Sequence, residues 1–205
     1  MIDFYAWQTS NCQRVAIMLE ECALAYRVHK VDLFKGEQHD PAFLRMNPAG
    51  AVPAIVDADG PGGAPLTLTQ SGAIELYLAE KAGKFIARDP ARRAQILQWL
   101  MFAVTDCAPA STAMFLLTML APEKSPANVS FFEQRLLRFL RVADGRLAGR
   151  EWLADELSVA DFALYPVYAT RKAIVDRAGD LPGLTRWGAA LAERPGVVKA
   201  MHAAA

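Results

Sequence analysis

A proline at the start of an apolar segment most restricts how this chain can fold. Pro53 follows the turn-forming pair Asn47-Pro48 and precedes the strand-like run 54–56. Because proline gives no N–H to a β-ladder, it stands at sheet edges or at the first residue of a strand. The Val52–Pro53 bond is trans by base rate, whereas a cis bond would present the backbone of Val52 to an extended peptide. The residues alone leave both forms open.

The composition is that of a globular, uncharged protein. Of the 205 residues 53% are hydrophobic, and Lys+Arg and Asp+Glu both total 22, so the basic excess of proteins that bind nucleic acid or anionic membranes is missing. The N-terminal residues show no secretory signal pattern, so we expect a cytoplasmic protein. The cysteines at 12, 22 and 107 have no CxxC spacing and the three histidines are scattered, so no disulfide framework and no metal site is expected.

The first 82 residues predict a βαβ unit followed by ββα. An apolar stripe at 15, 18, 19 and 22 indicates the first helix and leaves Glu20 and Glu21 exposed. A cluster of turn formers joins the last two strands as a hairpin. Strands are predicted at 2–6, 26–31, 54–56 and 65–68, and helices near 9–22, 40–44 and 69–82.

From residue 89 onward every pattern is helical. The nearly uncharged run 94–121 is long enough for a membrane span, but polar residues interrupt it throughout, so we expect a buried helix with a kink at Pro109. Ser158 followed by Asp161 has the spacing of a capping box. A last helix is predicted over 184–194, ending at Pro195. The prediction is therefore an α/β domain over 1–82, a linker over 83–88 and an all-α domain over 89–205.

Four stretches, in this order and spacing, resemble a known family. They are Thr9-Ser10-Asn11-Cys12-Gln13-Arg14-Val15, residues 43–55, Leu68-Thr69-Gln70-Ser71-Gly72-Ala73-Ile74, and Ser158-Val159-Ala160-Asp161-Phe162. Together they make the chain similar to a cytosolic glutathione transferase, with a thioredoxin-like N-terminal domain and an all-helical C-terminal domain. The first stretch looks most like bacterial threonine/asparagine-type members, some of which reduce disulfide bonds with glutathione.

The resemblance implies that glutathione is the co-substrate and that separate segments hold its three parts. It implies a cis bond before Pro53, with the backbone of Val52 pairing with the cysteinyl part. It places the γ-glutamyl end at Gln70 and Ser71, where a helix N-terminus also favours a carboxylate. Two positions that commonly reach the glycyl carboxylate, or else are ordinary loop residues, are Gln38 and His39.

The chemistry requires a glutathione thiolate, although a free thiol has a pKa of about 8.5. A hydroxyl that donates to the sulfur at a helix N-terminus favours the charged form. The resemblance places that hydroxyl at Thr9, with Ser10 as a substitute donor and Asn11 orienting the sulfur; simple N-capping is the alternative role. Cys12 is a second candidate, as a nucleophile that forms a mixed disulfide with glutathione, although no resolving cysteine follows three residues later.

The second substrate is less well defined. In the family the long helix of the second domain walls the electrophile pocket, although a core stripe explains the apolar candidates equally well. Three functions compete: a transferase acting on hydrophobic electrophiles or peroxides, a disulfide reductase using Cys12, and a non-catalytic binding protein. The resemblance also implies a homodimer. The pocket candidates are Trp99, Phe102, Asp106 and Met114.

Overall fold

In the computed structural model, which describes residues 1–203, the sheet and most of the helices belong to different units. One unit comprises Met1–Lys84 together with the chain from Arg194 onward, and the other is Phe85–Glu193. The sequence assigned everything after residue 89 to the helical domain. The last segment belongs instead with the sheet.

The sheet has four strands in the order β2-β1-β3-β4. Strand β2 is parallel to β1, and β3 is antiparallel to both β1 and β4, which confirms the predicted βαβ and ββα units. Helix α1 is the crossover between the two parallel strands. The elements are β1 (Ile2–Ala6), α1 (Ser10–Glu21), β2 (Tyr26–Lys30), α2 (Pro41–Met46), β3 (Ala54–Asp57), β4 (Leu66–Thr69) and α3 (Ser71–Ala82).

The core of this unit lies between the sheet and helices α1 and α3. The alternation of β1 buries Ile2, Phe4 and Ala6 on one face. The predicted stripe of α1 is buried at all four positions, and α3 contributes Ile74 and Leu78. The two helices therefore pack side by side on the sheet.

The helical unit contains the elements from α4 to α9. Two π-helical turns, Phe102–Cys107 and Leu116–Leu120, extend α4 and α5 into a continuous run. The predicted kink at Pro109 takes the form of the first π-turn, in which the N–H of Ala108 bonds five residues back to Ala103. The sequence patterns missed α8. The helices are α4 (Pro90–Met101), α5 (Ala108–Phe115), α6 (Pro126–Leu147), α7 (Val159–Thr170), α8 (Lys172–Ala178) and α9 (Pro182–Ala192).

One helical run among the described residues, Pro90–Leu120, is long and apolar enough to cross a membrane by length and composition. In its most apolar window 39% of the residues are buried. Helix α4 packs on α7 and α5 packs on α6. The run is therefore a packing helix of this unit, and a larger part of it is exposed than the sequence predicted.

The predicted capping box stands at the start of α7. Asp161 is fully buried and its carboxylate accepts the backbone N–H of Ser158 at 3.0 Å. The same carboxylate accepts the N–H of Leu153 at 3.0 Å and the indole N–H of Trp187 at 2.9 Å. Burial raises the pKa of Asp161 to about 6, and these donors oppose the rise. One side chain thus ties α7 to α9 and to the loop before α7.

A further helix, α10 (Pro195–Ala200), follows α9 and packs on α1. Pro195 was predicted to end a helix, but it occupies the first turn of this one, where proline is favoured. Arg194 donates to Glu21 (Nε to Oε1, 3.0 Å), and Lys199 donates to Glu20 at 2.9 Å. The prediction that both glutamates are exposed was wrong, because α10 covers them.

Candidate functional site

The register of the sheet brings three loops to one edge. Tyr5 at the end of β1 pairs with Ala54 at the start of β3, and Ala54 pairs with Thr69 at the end of β4. The segment 7–9, the Val52–Pro53 bond and the segment from Gln70 therefore all leave the sheet at this edge. Three of the four stretches that carry the family resemblance meet there.

At this edge Thr9 caps α1. Its backbone is extended, and its Oγ1 accepts the N–H of Cys12 at 3.2 Å. A threonine hydroxyl has one proton to donate as well as its acceptor lone pairs, so capping leaves the Thr9 proton available for a sulfur anion. N-capping and thiol activation are therefore compatible roles. Ser10 and Asn11 are half-buried, and their side chains make no hydrogen bond among the described residues.

Cys12 lies in the core. Its side chain is 0% exposed, and its Sγ accepts the N–H of Trp7 at 3.4 Å. Burial raises the pKa of Cys12 to about 11, although the contacts with Thr9 and Trp7 and the charge of Arg14 oppose the rise. The thiol is therefore protonated and shielded near neutral pH, which opposes its role as a nucleophile.

The loop before β3 is held by a buried asparagine. Asn47 is 4% exposed; its Oδ1 accepts the N–H of Ala49 at 3.2 Å, and its Nδ2 donates to the carbonyl of Ala51. These bonds fix the chain on both sides of Gly50, whose φ of 57° is in the left-handed region. The approach to Val52 is thereby rigid.

Val52 offers an open pair of backbone groups. The Val52–Pro53 bond is cis, as the resemblance implies. Val52 is 9% exposed, yet within residues 1–203 neither its N–H nor its C=O makes a hydrogen bond. Buried backbone groups are nearly always paired. This unpaired donor and acceptor fit the backbone of a short extended peptide.

The start of α3 is open as well. Gln70, immediately before it, has a φ of 69°, a conformation that costs a non-glycine residue about 1–3 kcal/mol. No side chain caps the first-turn N–H groups. The Ser71 hydroxyl also has no hydrogen bond among the described residues. Free N–H groups at the positive end of a helix are suited to a carboxylate.

Gln38 and His39 lie in a short 3-10 turn, Glu37–His39. The Oε1 of Gln38 is buried and has no hydrogen-bond partner among the described residues. His39 is exposed and lies against the loop before Val52, since a Cβ built on Gly50 would be 3.1 Å from its Nδ1. A buried amide oxygen without a partner is able to accept an N–H from a ligand.

The four candidates for the electrophile pocket lie in the helical unit. Trp99 and Phe102 pack edge to face at 5.3 Å, and Phe102 packs on Phe139 at 5.9 Å. Met114 is 4% exposed. Core packing therefore accounts for the apolar candidates. Asp106 is half-buried and makes no hydrogen bond or ion pair among the described residues, so it is the one polar candidate left.

A separate groove of about 350 Å³ lies in the same unit, beside the second π-turn and the start of α6. Its walls include Leu117, Lys124 and Val129, and none of the four pocket candidates lines it. In the part of the chain that the structure describes, no cluster of His, Cys, Asp or Glu could hold a metal ion.

Sequence patterns missed two buried charged residues close to this edge. Arg14 on α1 and Glu75 on α3 are 1% and 0% exposed. A signal was present, because Arg14 stands four residues before Met18 and Glu75 four residues before Ala79, both buried. A charge on a core-facing position is unusual, and the helical spacing reveals it.

Comparison with known proteins identifies the family. The family model for the glutathione S-transferase N-terminal domain matches residues 9–81, and that for the C-terminal domain matches residues 107–195. The disulfide-bond oxidoreductase YfcG of Escherichia coli is 38% identical over 204 residues, which are 98% of this chain and 94% of that protein. The chain belongs to the glutathione S-transferase family. The resemblance of the four sequence stretches is thus confirmed.

Solved structures of the family place glutathione species in the same fold. A glutathione transferase from Pseudomonas putida, with one glutathione disulfide bound per subunit, has a TM-score of 0.90 and 36% identity, covering 98% of this chain and 90% of that chain. A family member from Pseudomonas fluorescens, with two glutathione bound, has a TM-score of 0.90 and 33% identity, covering 98% and 92%.

Proposed function

We propose that this glutathione S-transferase family member reduces disulfide bonds with glutathione. The observation that supports the proposal is the Thr9 hydroxyl at the N-terminus of α1, with Cys12 buried in the core beside it. The chain is similar to a disulfide-bond oxidoreductase and to a solved protein that holds glutathione disulfide. Both similarities support a disulfide as the second substrate.

The proposed binding mode uses the open groups at the sheet edge. The N–H and C=O of Val52 pair with the cysteinyl backbone of glutathione. The Ser71 hydroxyl and the free N–H groups of α3 receive the γ-glutamyl carboxylate, and the Gln70 side-chain oxygen receives the ammonium. Gln38 and His39 lie at the glycyl end. This arrangement directs the glutathione sulfur towards the start of α1.

At the start of α1, Thr9 donates its hydroxyl proton to the sulfur, with Ser10 and Asn11 beside it. The hydrogen bond and the helix dipole both favour the thiolate. The thiolate attacks one sulfur of the substrate disulfide, the S–S bond breaks, and the leaving sulfur takes up a proton. A second glutathione completes the exchange. In total, two glutathione thiols are oxidised to one glutathione disulfide, and the substrate disulfide is reduced to two thiols.

The same thiolate suits a second reaction, transfer to a hydrophobic electrophile or reduction of a peroxide. Asp106, half-buried and without a partner among the described residues, is the polar candidate for contact with such a substrate. We further propose that the protein is a cytoplasmic homodimer, which sedimentation equilibrium at several concentrations would test. A non-catalytic role would show as glutathione binding without turnover of any of these substrates.

The reductase proposal is tested with a small-molecule disulfide, following glutathione disulfide by coupled oxidation of NADPH through glutathione reductase. We expect Thr9→Ala to lower kcat/KM for glutathione about 10²-fold and to raise the pKa of the bound thiol, because one positioned donor is lost. Thr9→Ser, which keeps the hydroxyl, should retain most of the activity.

Cys12→Ser is the matched control on the same helical turn. It should keep turnover within a few-fold of wild type, because the proposed reaction does not use Cys12. If Cys12→Ser abolishes turnover while Thr9→Ala does not, the cysteine mechanism is correct and this proposal is wrong.

A further inference from the structure

Two buried charged side chains stand out in the sheet-containing unit. Arg14 on α1 is 1% exposed and Glu75 on α3 is 0% exposed. Both carboxylate oxygens of Glu75 are buried and have no hydrogen-bond partner within residues 1–203. Burying a carboxyl group that receives no hydrogen bond costs a few kcal/mol, whether the group is ionised or protonated. An arrangement that lowers stability in this way calls for a functional reason.

The charge of Arg14 acts on two places. Burial raises the pKa of Glu75 to about 8, and the positive charge of Arg14 opposes that rise. Burial also raises the pKa of Cys12, in the first turn of α1, and the same charge opposes that rise. Arg14 is therefore close both to α3 and to the end of α1 where Thr9 lies.

Helical spacing places the pair directly behind the site. Arg14 follows Ser10 by four residues and Asn11 by three, so it lies on their face of α1, one turn further along. Glu75 follows Ser71 by four residues and so lies on its face of α3. Because α1 and α3 pack against each other and the charge of Arg14 acts on Glu75, the two side chains lie near each other between the helices, one turn behind both N-termini.

We propose that Arg14 and Glu75 are positioning residues that set the distance between the thiol-activating end of α1 and the γ-glutamyl-binding end of α3. The inference rests on the proposed binding of glutathione across these two ends. One glutathione molecule must reach both ends at once, and a misplacement of about 1 Å can cost a catalytic site up to 10²-fold. The pair therefore acts through Thr9 and Ser71 and contacts no substrate.

The main test is the double variant Arg14→Met/Glu75→Leu. Replacing a buried charge pair by apolar side chains of similar size is often neutral or stabilising. We expect the melting temperature to stay the same or rise, while the Kd for glutathione, from tryptophan fluorescence, increases about tenfold. Disulfide turnover should fall with it. A folded double variant whose Kd and kcat/KM stay within twofold of wild type would show that the pair only fills the core, and would overturn the proposal.

Two single variants distinguish an effect of side-chain length from an effect of charge. They also test the proposal if the double variant does not fold. Glu75→Asp keeps the carboxyl group but shortens its reach by one methylene, whereas Glu75→Gln keeps the length and loses the acid. If the pair sets a distance, Glu75→Asp weakens glutathione binding more than Glu75→Gln does. The reverse order would contradict positioning.

The control is Arg194→Met, which removes the contact between α10 and Glu21 at the other end of α1. It should lower the melting temperature and leave the Kd for glutathione unchanged. If the wild-type protein binds glutathione but reduces no disulfide, the proposed activity fails while the Kd comparison still tests the pair. If the wild-type protein binds no glutathione, both proposals fail.

Discussion

The starts of α7 and α3 show two opposite ways of building the first turn of a helix. At α7 a capping box closes the turn, and the Asp161 carboxylate receives N–H groups from three residues. At α3 no side chain caps the turn, Gln70 has a positive φ, and the buried Glu75 receives no hydrogen bond among the described residues. The first turn of α7 is closed by its own side chains, whereas the first turn of α3 leaves its N–H donors without a side-chain acceptor.

The largest effect expected from this contrast is the pH dependence that Glu75 confers. Burial raises the pKa of Glu75 from 4.5 to about 8 in the folded protein. Its contribution to stability is therefore complete below pH 4.5 and is lost as the pH rises towards 8, by a total on the order of 3–5 kcal/mol. The free energy of unfolding of wild type relative to Glu75→Gln, measured by urea titration, should fall across that range. A flat difference would mean that the folded protein holds Glu75 ionised.

The next largest effect is expected from Asp161→Ala. The substitution leaves the buried donors of Leu153, Ser158 and Trp187 without an acceptor, so the free energy of unfolding should fall by about 3 kcal/mol or more. The glutathione affinity of the remaining folded protein should not change, because the proposed site lies in the sheet-containing unit. If Asp161→Ala also weakens glutathione binding, the start of α7 affects binding as well as stability, which would contradict the difference between the two helix starts.

A matched pair of serines tests the contrast directly. Ser158→Ala should lower the free energy of unfolding by about 1 kcal/mol, the usual value of an N-cap. Ser71→Ala should leave stability unchanged and raise the Kd for glutathione roughly five- to tenfold, because a hydrogen bond to a charged group is lost. Urea unfolding gives the free energy of unfolding of each variant, and fluorescence titration gives its Kd for glutathione. Equal effects on stability would contradict an open start at α3.

The smallest effect is expected at the strained position. Gln70→Gly relieves a positive φ and should raise the free energy of unfolding by about 0.5–1 kcal/mol. The same change should weaken glutathione binding, because the side-chain acceptor for the ammonium is gone. Gly83→Ala, at the other end of α3 where φ is 63°, is the control, with lower stability and unchanged binding. If Gln70→Gly lowers the free energy of unfolding, the positive φ of Gln70 does not strain the wild-type backbone.

Local patterns predicted most of the fold because local chemistry determines it. Strand β1 has the predicted bounds, and the capping box at Ser158 was found from four consecutive residues, since its bonds join near neighbours. The proposed binding site at the sheet edge could not be predicted from local patterns alone. Thr9, Val52 and Gln70 were related through the family resemblance, and the strand register then showed that they leave the sheet at the same edge.

What the sequence did not reveal depends on distant partners. Glu21 looked exposed because Arg194, which covers it, is 173 positions away. The burial of Arg14 and Glu75 follows from the packing of α1 on α3, and the spacing of each residue from a buried neighbour in its own helix was the signal that the sequence patterns did not use. The role of Cys12 was left open for the same reason, since its pKa depends on surrounding residues that no spacing rule identifies.

The return of α10 to α1 also affects how the protein is made. The helix that carries Thr9 is covered at its far end by a segment beginning at Arg194, near the end of the 205-residue chain. The sheet-containing unit therefore cannot be completed during synthesis until residues 194–200 have left the ribosome. The first domain to emerge is completed only after the whole helical unit, Phe85–Glu193, has been made.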